Sequence, residues 1–340
     1  MDSVRPDLTI ITDPVMRGRY LIKEPIKRLA RHFRNKIKPP AAYMESKYRG
    51  HFAVTRSMVE GLQKIGVRSN YNPSSLADVA ETVVVPGGFD ALRQAIAWKR
   101  SGRVRRLLAG TNLVDFPSER RELICAPEID LNLVPCGWFR DNFIADCPEL
   151  QGRVETWAAG VDTAHWSPDP DGRRPMRILF YHKQIREPLP TDVFEYLRFV
   201  EELGFKTAHL EYGKYMPRDY LTILRSCSLM IGFSPDESQG IAWAEAWSVN
   251  VPTLMWKQDC VTYKGRTYAV STAPYLTPAT GLFFSDMAEF ERAFQYWQKH
   301  PEEFYPRRWV IENMSDEMCA RHLCELARIP LETRTDLPVG

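Results

Sequence analysis

Short apolar runs rich in β-branched residues alternate along this chain with longer stretches of helical periodicity. In the first half, the runs 8–12 (LTIIT), 67–71, 82–85 (TVVV), 106–109, 123–125 and 131–135 read as strands. Between them, apolar residues recur every three or four positions. Leu21, Ile22, Ile26, Leu29, Phe33 and Ile37 do so in the segment 20–37, and 52–64 and 89–99 behave alike, which predicts helices. Pro39-Pro40 ends the first of these and Gly66 follows the second. In the second half, strands are predicted at 177–181 (RILFY), 207–210, 229–233 (LMIGF) and 252–256. Helices are predicted at 192–203, 219–226, 241–247, 286–299 and 314–327. Strands separated by helices imply βαβ units and mainly parallel sheets.

Residues 159–175 break the alternation. They contain Ser167-Pro168-Asp169-Pro170-Asp171-Gly172, a run of turn formers, and read as an interdomain linker. The chain then divides into an N-terminal domain at 1–158, the linker, a C-terminal domain at 176–312, and a closing helix and tail at 313–340 that packs back on the first domain. A length of 340 residues accommodates two domains of ordinary size. A composition of 44% hydrophobic and 26% charged residues excludes a disordered chain and supplies two cores. The expected fold class is α/β: two Rossmann-like domains whose parallel sheets face a common cleft, where ligands of such sheets bind.

The stretch 231–256 (IGFSPDESQGIAWAEAWSVNVPTLMW) carries the most chemistry. A buried strand ends at Phe233, a polar loop follows, and a helix begins near Gly240, with Ser238 in position to cap it. The backbone N–H groups of Gln239, Gly240 and Ile241 then open a helix N-terminus. Its unsatisfied donors and its dipole suit a phosphate. Gly240 permits close approach to the backbone. Two carboxylates bracket this anion site: Glu237 in the loop, and Glu245 in the helix. They match a ligand with phosphate in the middle and hydroxyls at both ends, such as a nucleotide-sugar. A solvated helix carries two glutamates just as readily, since Glu is a good helix former. Their place between a strand and a helix start favours the site.

The run from Glu237 to Glu245, ESQGIAWAE, resembles the E-x7-E motif of retaining GT-B glycosyltransferases, above all glycosyltransferase family 4. Asn250-Val251-Pro252-Thr253 resembles the G-x-P-x stretch placed next in that family. Asn250 stands where glycine is usual, and asparagine also tolerates a left-handed backbone. Trp247 and Ser248 replace smaller residues. The segment 154–168, with Ala159-Gly160-Val161-Asp162, resembles the family's N-G-V-D linker, and 133–141 resembles the strand and helix that end its first domain. The likeness covers 105–256 well and the first hundred residues poorly.

That resemblance implies roles. Glu237 would contact hydroxyls of the donor sugar, Glu245 the ribose, and the backbone around Gly240 the diphosphate. The family's basic pair after the first strand of its second domain points to Lys183 and Arg186, at a shorter interval than usual. Such cations offset the charge that develops on a departing diphosphate. The implied activity is retaining transfer of a sugar from a nucleotide diphosphate sugar to a hydroxyl of a glycan or lipid-linked acceptor, in surface polysaccharide or glycolipid synthesis. No metal or other cofactor is expected. Asp169-Pro-Asp171 spells the Asp-x-Asp pair of metal-dependent enzymes but lies in the linker, so it reads as a turn. A sugar-nucleotide epimerase of the same fold and a non-catalytic carbohydrate or nucleotide binder are the alternatives.

The first domain should hold the acceptor. Gly50-His51 is the nearest substitute for the family's glycine-rich loop. Gly87-Gly88 and Gly110-Thr111-Asn112 each follow a strand and either approach a ligand or make a tight turn, the commoner role. The helix 20–38 carries Lys23, Lys27, Arg28, Arg31, Arg34 and Lys36. That pattern suits anionic lipid as well as it suits a solvated face. No RNA-binding motif accompanies it, so no nucleic-acid partner is expected. A net charge of +2 demands no acidic partner. The 7 cysteines form no CxxC pair, which argues against a disulfide framework or zinc site and fits a reducing compartment. Asp2, Arg5 and Asp7 interrupt the N-terminus, no apolar core of a leader follows, and no stretch is long enough to span a membrane. The expectation is a cytoplasmic protein that touches a membrane, if at all, peripherally through 20–38.

Overall fold

A computed structural model describes residues 5–13, 47–171, 176–183, 191–263 and 265–331. The predicted basic helix 20–38 and Arg186 lie outside these residues. The first half runs β1 (Leu8–Ile10), α1 (Gly50–Lys64), β2 (Ser69–Tyr71), β3 (Thr82–Val85), α2 (Phe89–Arg100), β4 (Arg106–Ala109), α3 (Arg121–Ile124), β5 (Leu131–Val134), α4 (Gly137–Asp146) and β6 (Val154–Thr156). Its strands form a parallel sheet in the order β2-β1-β3-β4-β5-β6. The second half runs β7 (Arg177–His182), α5 (Val193–Glu202), β8 (Lys206–Glu211), α6 (Pro217–Arg225), β9 (Leu229–Phe233), α7 (Ile241–Ser248) and β10 (Thr253–Trp256). An antiparallel hairpin of β11 (Cys260–Tyr263) and β12 (Arg266–Ala269) follows, then β13 (Gly281–Phe284), α8 (Met287–Lys299), α9 (Pro306–Asn313) and α10 (Asp316–Ala327). The second parallel sheet has the order β13-β10-β9-β7-β8.

In each sheet the chain adds one strand on one side of the first and then crosses to the other side. A switch point therefore lies between β1 and β3, and another between β7 and β9. Crevices open beyond the carboxyl ends of strands at such points. The central strands are buried on both faces and need helices on both. Val83, Val85 and Leu107 pack against Leu92 and Ile96 of α2. On the opposite face Leu8, Val84 and Leu108 pack with Met58 and Leu62 of α1 and with Leu323 and Ala327 of α10. α10 thus covers the first sheet. In the second sheet, Leu179 and Met230 meet Leu224 of α6 and Trp243 of α7. Phe180 and Ile231 meet Phe290 and Phe294 of α8. Each fully buried side chain of this kind contributes about 1.5–3 kcal/mol.

One predicted strand is a helix. Leu123 and Ile124 are buried in the same core at the end of α3. Adjacent side chains of a strand point to opposite faces, and so short an apolar run has no period to decide. Asp169 Oδ1 accepts a hydrogen bond from Asp171 N–H at 3.1 Å, so Asp169-Pro-Asp171 is a turn. β6, the hairpin, β13 and α9 were not among the predicted elements.

A buried ionic network joins the two ends of the chain. Arg56 of α1 donates to both carboxylate oxygens of Asp316 at 2.6 and 2.9 Å and to the Gly160 carbonyl at 2.9 Å. Lys64 reaches Asp316 at 2.7 Å and Asp162 at 3.3 Å. The approach is close because Gly61 and Gly160 lie there. A Cβ on either would come within 2.5 or 2.6 Å of Asp316 backbone atoms. Replacing Asp316 by Ala strands Arg56 in a dry site and should cost about 3–5 kcal/mol. Urea unfolding of Asp316→Ala measures this, and a loss well under 1 kcal/mol would refute the structural role.

Candidate active site

The β7–β9 switch point sets the site. β9 is buried throughout and ends at Phe233, whose carbonyl accepts from Lys183 N–H at 2.8 Å. The first residue after β7 therefore lies beside the loop that follows β9. In that loop, Ser234 Oγ donates to the Asp236 carbonyl at 2.7 Å, and Glu237 N–H donates to the Ser271 carbonyl at 2.9 Å. The Glu237 carboxylate is thereby held 2.7 Å from Lys183 Nζ. Trp138 Nε1 of α4 donates to the Glu237 carbonyl at 3.1 Å, so the first half of the chain steadies the same loop. Burial disfavours the Lys183 ammonium, but the adjoining Glu237 carboxylate outweighs it and holds this lysine above its ordinary pKa. Its Nζ also lies 5.2 Å from the Tyr212 ring centroid.

The helix cap differs from expectation. Gly240, not Ser238, is the N-cap of α7, with φ 62° and ψ 30°. A left-handed residue there turns the chain into the helix two positions later than a Ser238 cap requires. The first helical bond runs from Ala244 N–H to the Gly240 carbonyl at 2.9 Å. The N–H groups of Ile241, Ala242 and Trp243 precede it and have no partner within the helix. The Gln239 side chain serves the domain junction instead: its Oε1 accepts from Ala159 N–H at 3.0 Å.

About one turn into α7, Glu245 is 6% exposed and makes no side-chain hydrogen bond among the described residues. Burial pushes its pKa well above the carboxylate range, and the Arg56 charge opposes this only in part. Burial thus favours its uncharged form. Beside it stand Tyr181, Tyr215 and Tyr220, with Tyr181 Oη 2.7 Å from Tyr215 Oη and burial raising all three hydroxyls.

Lys183, Glu237, Gln239, Ile241 and Glu245 border one cavity of about 380 Å³ between the two sheets. Small-molecule sites commonly measure ~300–1,000 Å³. Gly240 starts the helix at its edge, and Arg186 lies outside the described residues. From the first half, Gly50, His51 and Asn112 also border the cavity. Gly88 does not: a Cβ there would meet Asp13, whose carboxylate accepts from Ala91 N–H at 2.7 Å, so the Gly87-Gly88 turn serves local packing. Two features of the lining have no counterpart in the sequence reading. One is the tyrosine wall, foreshadowed only by Tyr212 and Tyr215 just after a strand. The other is Arg49, at the start of α1.

Two doubly wound parallel sheets facing one cleft constitute the GT-B fold. Among solved structures, the chain is similar to the lipopolysaccharide outer core galactosyltransferase WaaB in its apo form, at 11% identity and a TM-score of 0.51 over 94% of this chain and 98% of that one. It is also similar to sucrose-phosphate synthase from Thermosynechococcus elongatus, at 12% identity and a TM-score of 0.48 over 82% and 93%. Anabaena HepE in complex with UDP and glucose gives 9% identity and a TM-score of 0.48 over 95% and 100%. No protein-family model matches the chain, and no curated protein sequence does.

The raised pKa of Glu245 has a measurable consequence. Its folded pKa lies above the ordinary 4.5, so from that pH upward the unfolded chain releases a proton that the folded one keeps. Stability is lost as pH rises through this window. Glu245→Gln carries no such proton. Without ligand, its melting temperature should gain on that of wild type as pH rises above 4.5; parallel melting curves would rule out a raised Glu245 pKa.

Proposed function

We propose that this chain is a retaining glycosyltransferase that takes a sugar from a nucleotide diphosphate sugar and adds it to a hydroxyl of a glycan or lipid-linked acceptor. The observation that carries this reading is the single cavity that joins the start of α7, the Lys183–Glu237 pair and the unpartnered Glu245 at a β-sheet switch point. The diphosphate fits against the free N–H groups of α7 and the Lys183 ammonium, where a helix start favours negative charge. Glu237 then faces the sugar hydroxyls, and Glu245 faces the ribose. Arg186 is a further candidate cation for the diphosphate.

In this reading the acceptor oxygen attacks the anomeric carbon from the face on which the diphosphate departs. A carbon–oxygen bond to the acceptor forms as the bond to the β-phosphate oxygen breaks. The acceptor proton passes to that departing oxygen, and configuration is retained. Lys183 and the α7 amides are aimed where negative charge grows, which is the most productive place for fixed donors. No resident metal enters the reading. The acceptor's side of the cavity is taken to be that of His51 and Asn112. Among the described residues no helix is long and apolar enough to cross a membrane.

Thermal-shift titration with UDP, GDP, ADP and their sugars tests the donor. A ligand present at a hundred times its Kd should add about 2.7 kcal/mol of stability. Glu237→Gln should keep the fold and lower transfer from the best donor by roughly 10²–10³-fold. Unchanged turnover removes Glu237 from the reaction. Release of free or epimerised sugar at an undiminished rate without acceptor makes the enzyme an epimerase.

A further inference from the structure

Among the described residues bordering the cavity, the lysine and arginine side chains are Lys183 and Arg49, one from each half of the chain. Their circumstances differ. Lys183 is matched at 2.7 Å by Glu237, so in the empty cavity the two charges cancel. Glu245 has no side-chain hydrogen bond or ion pair among the described residues, and burial favours its uncharged form. Arg49 makes no ion pair among the described residues. Its Nη2 donates across the cleft to the Tyr215 carbonyl at 2.8 Å and lies 3.1 Å from Met216 Sδ. A guanidinium has five N–H donors in a rigid plane, so this anchor fixes its direction and leaves most donors unused.

The surroundings of Arg49 favour an anion. It is the N-cap of α1, a helix of 15 residues with no side-chain cap and no acidic residue in its first turn. Next to it, a Cβ on Gly50 would meet nothing within 4 Å, so the helix start is open. The cavity thus has one uncompensated positive charge, on the wall opposite α7.

We infer that Arg49 grips a phosphate of the bound nucleoside diphosphate from across the cleft, so that the diphosphate is clamped by one cation from each half of the chain. This rests on the donor reading above and extends it. The Arg49 fork suits two phosphate oxygens at once, while Lys183 acts as a point charge that the incoming anion shares with Glu237. Because Arg49 belongs to the first half and Lys183 to the second, the ligand itself ties the halves together.

Isothermal titration of the full chain with UDP, GDP and ADP, and with the matching nucleosides, tests the clamp in wild type, Arg49→Ala and Arg49→Lys. Removing a charge-assisted phosphate contact should weaken the preferred diphosphate by about tenfold to a hundredfold. The nucleoside should bind unchanged, and Arg49→Lys should recover part of the loss. The diphosphate affinity of wild type should also fall with added salt more steeply than that of Arg49→Ala. Equal diphosphate affinity in wild type and Arg49→Ala overturns the clamp and leaves the donor site standing. An equal loss for nucleoside and diphosphate also overturns it, because Arg49 then only ties the halves through Tyr215. If wild type binds none of the three diphosphates, the donor reading itself fails and the clamp fails with it.

Discussion

The buried pair of Arg56 and Asp316 is the constraint from which the site follows. Two charges removed from water are tolerable only when their hydrogen bonds are well met. Here Arg56 donates to both Asp316 oxygens and to Gly160, and Lys64 supplies a second cation to Asp316. The three segments so joined are α1, the predicted linker and the start of α10. Their positions propagate outward. α1 presents Arg49, Gly50 and His51 to the cavity at its other end. The linker carries Ala159, whose N–H meets Gln239 at the base of the loop that holds Glu237. A network that looks structural therefore sets both walls of the cleft.

The same network explains the unequal state of the two glutamates. Arg56 acts on Glu245 but is itself paired with Asp316, and burial prevails over its pull. Glu237 has a lysine of its own at 2.7 Å. Burial thus favours the uncharged form of one carboxyl, which can donate as well as accept hydrogen bonds, while the other is half of an ion pair. The difference arises from their partners, since both are nearly buried.

Much of this was legible in the sequence, for a physical reason. β3, β9 and β10 lie between two layers of helices, so their residues form unbroken apolar runs. Asn250 has φ 65°, the left-handed conformation expected of an asparagine in a glycine position. The larger residues near it are also accommodated. Trp247 Nε1 donates to Thr253 Oγ1 at 3.1 Å, and Ser248 Oγ donates to the Trp166 carbonyl at 2.5 Å. What stayed hidden was decided far along the chain. The strand β12 (RTYA) is largely exposed and has no apolar pattern to read. The start of α7 depends on a backbone angle at Gly240 rather than on a side-chain signal at Ser238. The tyrosine wall and Arg49 gain meaning only when loops after different strands meet across the cleft.

The cleft has a second flank, built differently from the first. The β11–β12 hairpin reaches the first half of the chain: Arg266 meets Asp146 at 2.5 Å, Asn142 Nδ2 donates to the Ala269 carbonyl at 2.6 Å, and Tyr268 lies edge-on to Phe116 at 5.2 Å. Tyr275 Oη donates to the Pro135 carbonyl nearby. In the hairpin pair the Arg266 side chain is 51% exposed and that of Asp146 3%, whereas those of Arg56 and Asp316 are 4% and 0%. Exposed ion pairs contribute about 0–1 kcal/mol, while breaking a buried one costs about 3–5. The hairpin pair lies between these two cases, so by its ion pairs the hairpin flank is the less buried of the two. Trp138 of α4, on that flank, donates to the Glu237 carbonyl at 3.1 Å. The loop that carries Glu237 therefore takes part of its backbone support from the more exposed of the two flanks.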